Sequence, residues 1–196
     1  MGIGTYLDLA ARIRALPARA GATRVIAVDG PAGSGKTAFG ARLAAASGAP
    51  TVHLDDICPG WTGLRHAAPR LVEWVLAPLA AGGVGRYRRY DWDGDTYAEW
   101  HEVPRGPQLI VEGVTGGSKP VAPYLSFVVW VTAPAHVRIA RGIERDGESY
   151  RSRWEAWCEE EEKVFSADGT RERADLCIDG APTLPHDPQR EFVVFG

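Results

Sequence analysis

The sequence predicts an α/β protein: a parallel sheet of about five strands with helices packed on both faces. Three observations point there. Short, nearly continuous apolar runs recur at Arg24–Asp29, Thr51–Leu54, Leu109–Val111, Phe127–Val131 and Leu176–Ile178, as expected of strands buried on both faces. Stretches of helical periodicity stand between several of them, which is the alternation of a doubly covered sheet. Glycines or acids follow three of the strands, at Gly30–Thr37, Asp55-Asp56 and Glu112, and open α/β sheets bind ligands at the carboxyl ends of their strands. The chain of 196 residues suits one domain with a real core, and a single domain over 1–196 is expected.

The elements follow in order. Tyr6, Leu9, Ile13 and Leu16 fall at helical spacing, so Thr5–Ala15 reads as an amphipathic helix with Thr5 as its N-cap. Ala38–Ser47 reads as a helix after the first strand. Pro59–Gly63 is a loop. Arg70–Ala81 looks helical, with Leu71, Val75 and Leu79 on one face; Pro78 is expected to kink or end it, and Gly82-Gly83 stops it. Arg86–Trp92 reads as extended, and Asp93–Glu102 has no clear pattern. Gly116–Pro123 is a loop. Pro134 suits the first turn of a helix running to about Arg145. A second helix covers Ser149–Phe165, and Phe192–Phe195 is a last extended piece.

Bulk properties narrow the function. The formal net charge of −3 and pI near 6.0 argue against a general nucleic-acid binder. Cys58, Cys158 and Cys177 form no CxxC pair, which suits reduced thiols. No apolar run is long enough to span a bilayer, and Asp8, Arg12 and Arg14 interrupt any signal-peptide pattern. The expectation is a cytoplasmic protein with neither a nucleic-acid nor a membrane partner.

Gly30-Pro31-Ala32-Gly33-Ser34-Gly35-Lys36-Thr37 fits G-x-x-x-x-G-K-[ST], the phosphate-binding P-loop, at every fixed position. A strand precedes it and a helix follows. Backbone N–H groups and the helix dipole then make an anion site. Lys36 would reach the β- and γ-phosphates of ATP and the Thr37 hydroxyl would bind Mg²⁺. The fold class narrows to a three-layer P-loop NTPase.

Phosphoryl transfer also needs a metal site and a group that orients or deprotonates the nucleophile. Glu112 ends an apolar strand, as a Walker-B acid does, and could hold Mg²⁺; it could also be an ordinary strand-end carboxylate. Asp55 or Asp56 could be the general base and lie by the metal, or could form a turn. Asp29 reads as structural. Arg138, Arg141 and Arg145 share a helix face and suit a clamp on transferring phosphate, or a solvated face. Arg86, Arg88 and Arg89 could meet an anionic acceptor or line a strand edge. Trp61, Tyr90, Trp92, Tyr97 and Trp100 could stack on a ring or pack a core. Tyr150, Trp154 and Trp157 read as core, and Glu159–Glu162 as a solvated face. The five histidines show no metal-ligand pattern.

Asp29–Thr37 resembles the start of the uridine kinase and phosphoribulokinase group of P-loop kinases. His53-Leu54-Asp55-Asp56 is similar to the end of their second strand, which implies Asp55 as catalytic base with Asp56 beside the substrate. Tyr90-Asp91-Trp92 resembles their Tyr-Asp-Phe element at the acceptor, and Val111-Glu112-Gly113-Val114 their Val-Glu-Gly-Ile strand. Arg138, Arg141, Arg145 and Asp146 reproduce the R-x-x-R-x-x-x-R-D spacing of their lid, placing a helical lid at about 138–168 and the acceptor region at about 55–102. The departures fall in the acceptor half. Ile57 and Cys58 replace two aromatics, Asp95 replaces a histidine, Gly147-Glu148-Ser149 replaces a basic run, and no Phe-Asp-His-Pro stretch is present. The resemblance implies a kinase using ATP and Mg²⁺ on a small-molecule hydroxyl, first a uridine- or cytidine-like nucleoside. A sugar, vitamin precursor or antibiotic is the alternative acceptor. A regulatory NTP-binding protein is the alternative class, although it would need neither the paired Asp nor the lid.

Overall fold

In the computed structural model, which describes residues 2–195, the apolar runs become the parallel centre of a seven-stranded sheet. The chain begins with β1 (Gly2–Thr5), α1 (Tyr6–Arg14), β2 (Arg24–Asp29), α2 (Lys36–Ser47) and β3 (Thr51–His53). It continues through α3 (Leu64–Leu71), one π-helical turn at Val72–Leu76, and α4 (Ala77–Ala80). β4 (Arg86–Asp91) and β5 (Thr96–Glu102) pair only with each other. β6 (Gln108–Glu112), β7 (Leu125–Thr132), α5 (Ala135–Asp146), α6 (Arg151–Asp168), β8 (Leu176–Asp179) and β9 (Glu191–Val194) complete it.

The strand order is β1-β9-β8-β7-β2-β6-β3. β8, β7, β2, β6 and β3 are mutually parallel. β9 joins β8 antiparallel, and β1 joins β9 antiparallel. The sheet is therefore mixed, and the expected five parallel strands are its centre. β1 went unread because Gly2–Thr5 carries no apolar run.

Side-chain alternation explains the two cores. Val25 and Ala27 of β2 face one core with Leu64, Leu71, Val75 and Leu79 from α3 and its continuation. Ile26 and Val28 face the other, with Leu9 and Ile13 of α1 and Phe39 and Leu43 of α2. Both faces are covered, so β2 reads as a continuous apolar run.

Local chemistry sets the boundaries. Thr5 caps α1 by accepting a hydrogen bond from the Asp8 N–H. The helix expected to begin at Arg70 begins at Leu64, because Leu64, Ala67, Ala68 and Leu71 already form a buried stripe. Pro78 opens α4 after the π-helical turn, so its missing N–H falls where the hydrogen-bond register changes. Asp93–Glu102 supplies a turn and β5, with Arg86 opposite Glu102. Pro134 is the N-cap of α5.

Candidate active site

β2 ends at Asp29, and the chain must turn sharply into α2. Gly30, Gly33 and Gly35 have φ of +136°, +75° and +101°, a region that disfavours any other residue. A Cβ on Gly30 would stand 2.0 Å from the Val131 carbonyl oxygen. Gly35 is the N-cap of α2 and offers no side chain to its first amides, which leaves those N–H groups for an anion. Lys36 is buried, and its Nζ donates to the Pro31 carbonyl at 3.0 Å. Asp29 braces the turn from below. Its fully buried carboxylate accepts N–H bonds from Gly30 (2.6 Å), Thr115 (3.0 Å) and Gly117 (2.8 Å). Burial pushes its pKa up to about 7 against those bonds and the nearby Lys36 charge.

Two further acidic strand ends, at β6 and after β3, meet this turn. β3 and β6 pair His53 with Glu112. The His53 Nδ1 lies 2.7 Å from one Glu112 oxygen, and the Thr37 hydroxyl donates to the other at 3.3 Å. The hydrogen bond between His53 and Glu112 raises the His53 pKa. Beyond β3, Leu54–Asp56 forms a 3-10 turn that projects Asp55 into the cleft. Asp55 lines the cleft and is exposed there. Partial shielding by the surrounding protein raises its pKa even so, against the pull of Lys36 and Arg145 and with the push of Glu112. Thr37, Glu112 and Asp55 supply hard oxygen donors in one cleft, which fits Mg²⁺. No cluster of three or more His, Cys, Asp or Glu forms a protein cage for a metal among the described residues, and Mg²⁺ ordinarily takes waters and substrate phosphates rather than such a cage.

The cleft has a volume of about 1010 Å³. Gly33, Lys36, Thr37 and Glu112 line it together with Asp56, Trp61, Trp92, Tyr150, Trp154 and Trp157. Trp61 is the hub of the aromatic wall, with ring centroids of Trp92, Tyr150, Trp154 and Trp157 at 5.8, 6.2, 6.2 and 5.8 Å. Trp154 and Trp157 are buried, as core residues should be, and also wall the cleft.

The expected acceptor element divides. Trp92 lines the cleft, and its indole N–H donates to the Asp55 carbonyl at 3.0 Å. Tyr90 is buried, with its hydroxyl on Asp95 at 2.5 Å. The Asp91 carboxylate accepts from the Asp93 and Gly94 N–H groups and shapes the hairpin turn. Tyr90 and Asp91 are thus absent from the cleft lining, where the sequence placed them. Tyr97 donates to the Ile57 carbonyl at 2.7 Å, and Trp100 packs outside the cleft on Trp74. Arg86 and Arg89 pair with Glu102 and Glu99 within the hairpin, and Arg88 donates to backbone carbonyls there. Ile57 and Cys58, which replace the aromatics, are core residues.

A family model described as phosphoribulokinase / uridine kinase matches residues 65–164. The chain belongs to that family. The matched segment starts after the P-loop, so motif and family model bear on different parts of the chain. The fold is similar to that of a possible uridine kinase from Bacillus stearothermophilus, with a TM-score of 0.60 and 21% identity over 88% of this chain and 96% of that one. It is equally similar to a protein assigned as a fructose transport system kinase from Silicibacter sp. TM1040, with a TM-score of 0.60 and 18% identity over 84% and 95% of the two chains. No curated protein matches the chain. Among the described residues, no helix is long and apolar enough to cross a membrane.

The segment expected to form a lid is α5 and α6, and the three arginines of α5 go to three places. Arg145 lines the cleft, holds Asp146 through two hydrogen bonds of 2.7 and 3.0 Å, and lies over the Trp154 ring. Arg141 donates to the carbonyls of Gly33 and Gly180 and lines a second cavity of about 670 Å³. Arg141 and Arg145 therefore line different cavities rather than the one phosphate position that helix spacing suggested. Arg138 turns inward to Glu161 at 2.6 Å. Glu161, expected on a solvated face, is 1% exposed. The signal was in the spacing, since Trp154, Trp157 and Glu161 share one helix face. His53 was missed as well, because its partner Glu112 is 59 residues away.

Proposed function

We propose that this protein transfers the γ-phosphoryl group of ATP to a hydroxyl of a small, ring-bearing molecule, with a uridine- or cytidine-like nucleoside the first acceptor to test and a sugar, vitamin precursor or antibiotic the alternative. The observation that carries this reading is a single cleft lined by a P-loop lysine, the oxygen donors Thr37 and Glu112, the Asp55 carboxylate and a tryptophan wall. The P-loop amides and Lys36 bind the phosphates. Thr37 and Glu112, with Asp55 nearby, would hold Mg²⁺, which when bound neutralises charge on the phosphate oxygens. His53 keeps the Glu112 carboxylate oriented. Asp55 accepts the acceptor's hydroxyl proton; its raised pKa strengthens it as a base. Arg145 supplies positive charge to the oxygens in flight. The second cavity, lined by Gly35, Phe39, Arg42, Arg141 and Gly180–Pro182, accommodates the nucleoside end of ATP on the far side of the P-loop. Trp61 and Trp92 offer faces to the acceptor's ring.

The test is ADP release from Mg-ATP with a panel of nucleosides, sugars and other alcohols, run on wild type and Asp55→Asn. One acceptor class should accelerate turnover, and the variant should lose about 10²–10⁴-fold in kcat with ATP binding retained. ATP hydrolysis at one slow rate whatever is added would instead favour a regulatory NTP-binding protein.

A further inference from the structure

The peptide unit joining Pro31 and Ala32 is held at both ends. Its carbonyl accepts from Lys36 Nζ at 3.0 Å, and its N–H donates to Glu161 Oε2 at 2.8 Å. Arg138 Nη1 closes the arrangement: it donates to Glu161 Oε1 at 2.6 Å and to the Ala32 carbonyl at 3.1 Å. One P-loop residue is thus gripped by both its N–H and its C=O, through an ion pair shared between α5 and α6. The pair's side chains are only 12% and 2% exposed. The backbone of α5 also sits on the next residue, since a Cβ on Gly33 would lie 2.5 Å from the Arg138 carbonyl oxygen.

We infer that Arg138 and Glu161 are positioning residues for the phosphate site: from the lid helices they fix the Pro31–Ala32 peptide plane and, through its carbonyl, the resting place of Lys36. The inference rests on the kinase reading above. A phosphate site built of backbone N–H groups works only while its peptide planes keep their orientation. Turning this plane over would aim a carbonyl oxygen where Glu161 now receives an N–H and would release the lysine. A buried ion pair is a weak source of stability, because well-packed apolar residues replace it at little cost. Its contribution here is orientation, so it should be read out in nucleotide affinity.

The experiment measures the Kd for Mg-ATP and the apo Tm of four proteins: wild type, Glu161→Ala, Glu161→Gln, and the apolar pair Arg138→Met/Glu161→Leu. The apolar pair guards against misfolding from an orphaned arginine. Glu161→Ala and the apolar pair should bind at least about fivefold more weakly, the equivalent of one hydrogen bond, while kcat at saturating ATP stays within about threefold, as loss of uniform binding requires. Glu161→Gln keeps an acceptor for the Ala32 N–H and should recover most of the affinity. Unchanged Kd in the apolar pair, or a fall in Tm alone, would overturn the inference. A wild-type protein that does not bind Mg-ATP would overturn the kinase reading and this inference with it.

Discussion

Gly142 lies on α5 against the Trp154 ring, and adding one methyl there probes how α5 and α6 serve the cleft. An alanine Cβ would stand 2.3, 2.5 and 2.6 Å from Trp154 Cε2, Cζ2 and Cδ2. Carbon atoms in contact need about 3.5 Å, so the ring must retreat by about 1 Å. It is 3% exposed and packed on Trp61, which leaves little room. Overpacking of this kind costs about 1–3 kcal/mol, and the better helix propensity of alanine returns just under about 1 kcal/mol. A net loss of up to about 2 kcal/mol lowers Tm by up to roughly 8 °C for a chain of this size. The functional effect follows the hydrogen bonds. Trp154 Nε1 donates to Asp146 at 2.9 Å, and Asp146 holds Arg145. A displacement of about 1 Å at a charge-stabilising group costs up to about 10²-fold in rate, so kcat should fall more than Tm alone implies. Thermal unfolding and steady-state kinetics of Gly142→Ala would measure both. Adding Trp154→Phe should restore space and Tm, but not kcat, because the indole N–H is lost. Wild-type Tm and kcat in Gly142→Ala would refute the chain of contacts from Gly142 to Arg145.

Further outcomes follow from the same geometry. Mg-ATP at a hundred times its Kd adds about 2.7 kcal/mol, which should raise Tm by roughly 5–11 °C, and Lys36→Ala should remove most of that rise in thermal-shift measurements. Arg145→Ala should lower kcat by about 10³-fold without rescue by lysine, whereas Arg141→Ala should mainly raise KM for ATP; the reverse pattern would exchange their roles. Asp29 carries a folded pKa of about 7 against 3.8 unfolded, so the folded state binds more protons between those values. Stability contributed by this group falls as pH rises from 4 to 7, by up to roughly 4 kcal/mol. Urea unfolding of Asp29→Asn across that range should show a flatter profile, and an unchanged slope would remove Asp29 as its source.

The parallel strands and the P-loop were legible because their signals are local: an apolar run, a glycine spacing, a lysine followed by a threonine. Asp55 and Glu112 were legible as strand ends, and the structure brings both into the cleft with Lys36 and Thr37. What escaped was tertiary. Tyr90 and Asp91 carry the right residue types, but a hairpin turn takes the hydrogen bonds of both. The regular spacing of Arg138, Arg141 and Arg145 gave no hint that a buried glutamate would claim the first, the P-loop carbonyl the second and the cleft only the third. Glu161 read as one of four surface acids, because charge outweighs periodicity when a run is taken whole.

The hairpin of β4 and β5 has a consequence for remodelling the enzyme. Its Trp92 and Tyr97 do not merely stand near the acceptor end; they hydrogen-bond to the carbonyls of Asp55 and Ile57. The turn they brace follows β3, a three-residue edge strand paired only with β6. In the proposed kinase the hairpin would therefore be a strut for the proton acceptor Asp55 as well as, through Trp92, a wall for the acceptor molecule. Swapping in a hairpin from a relative to change what is phosphorylated would then also move Asp55, the proposed base. Selectivity and speed share one part, and a graft that preserves rate must keep the indole and the phenol at positions 92 and 97.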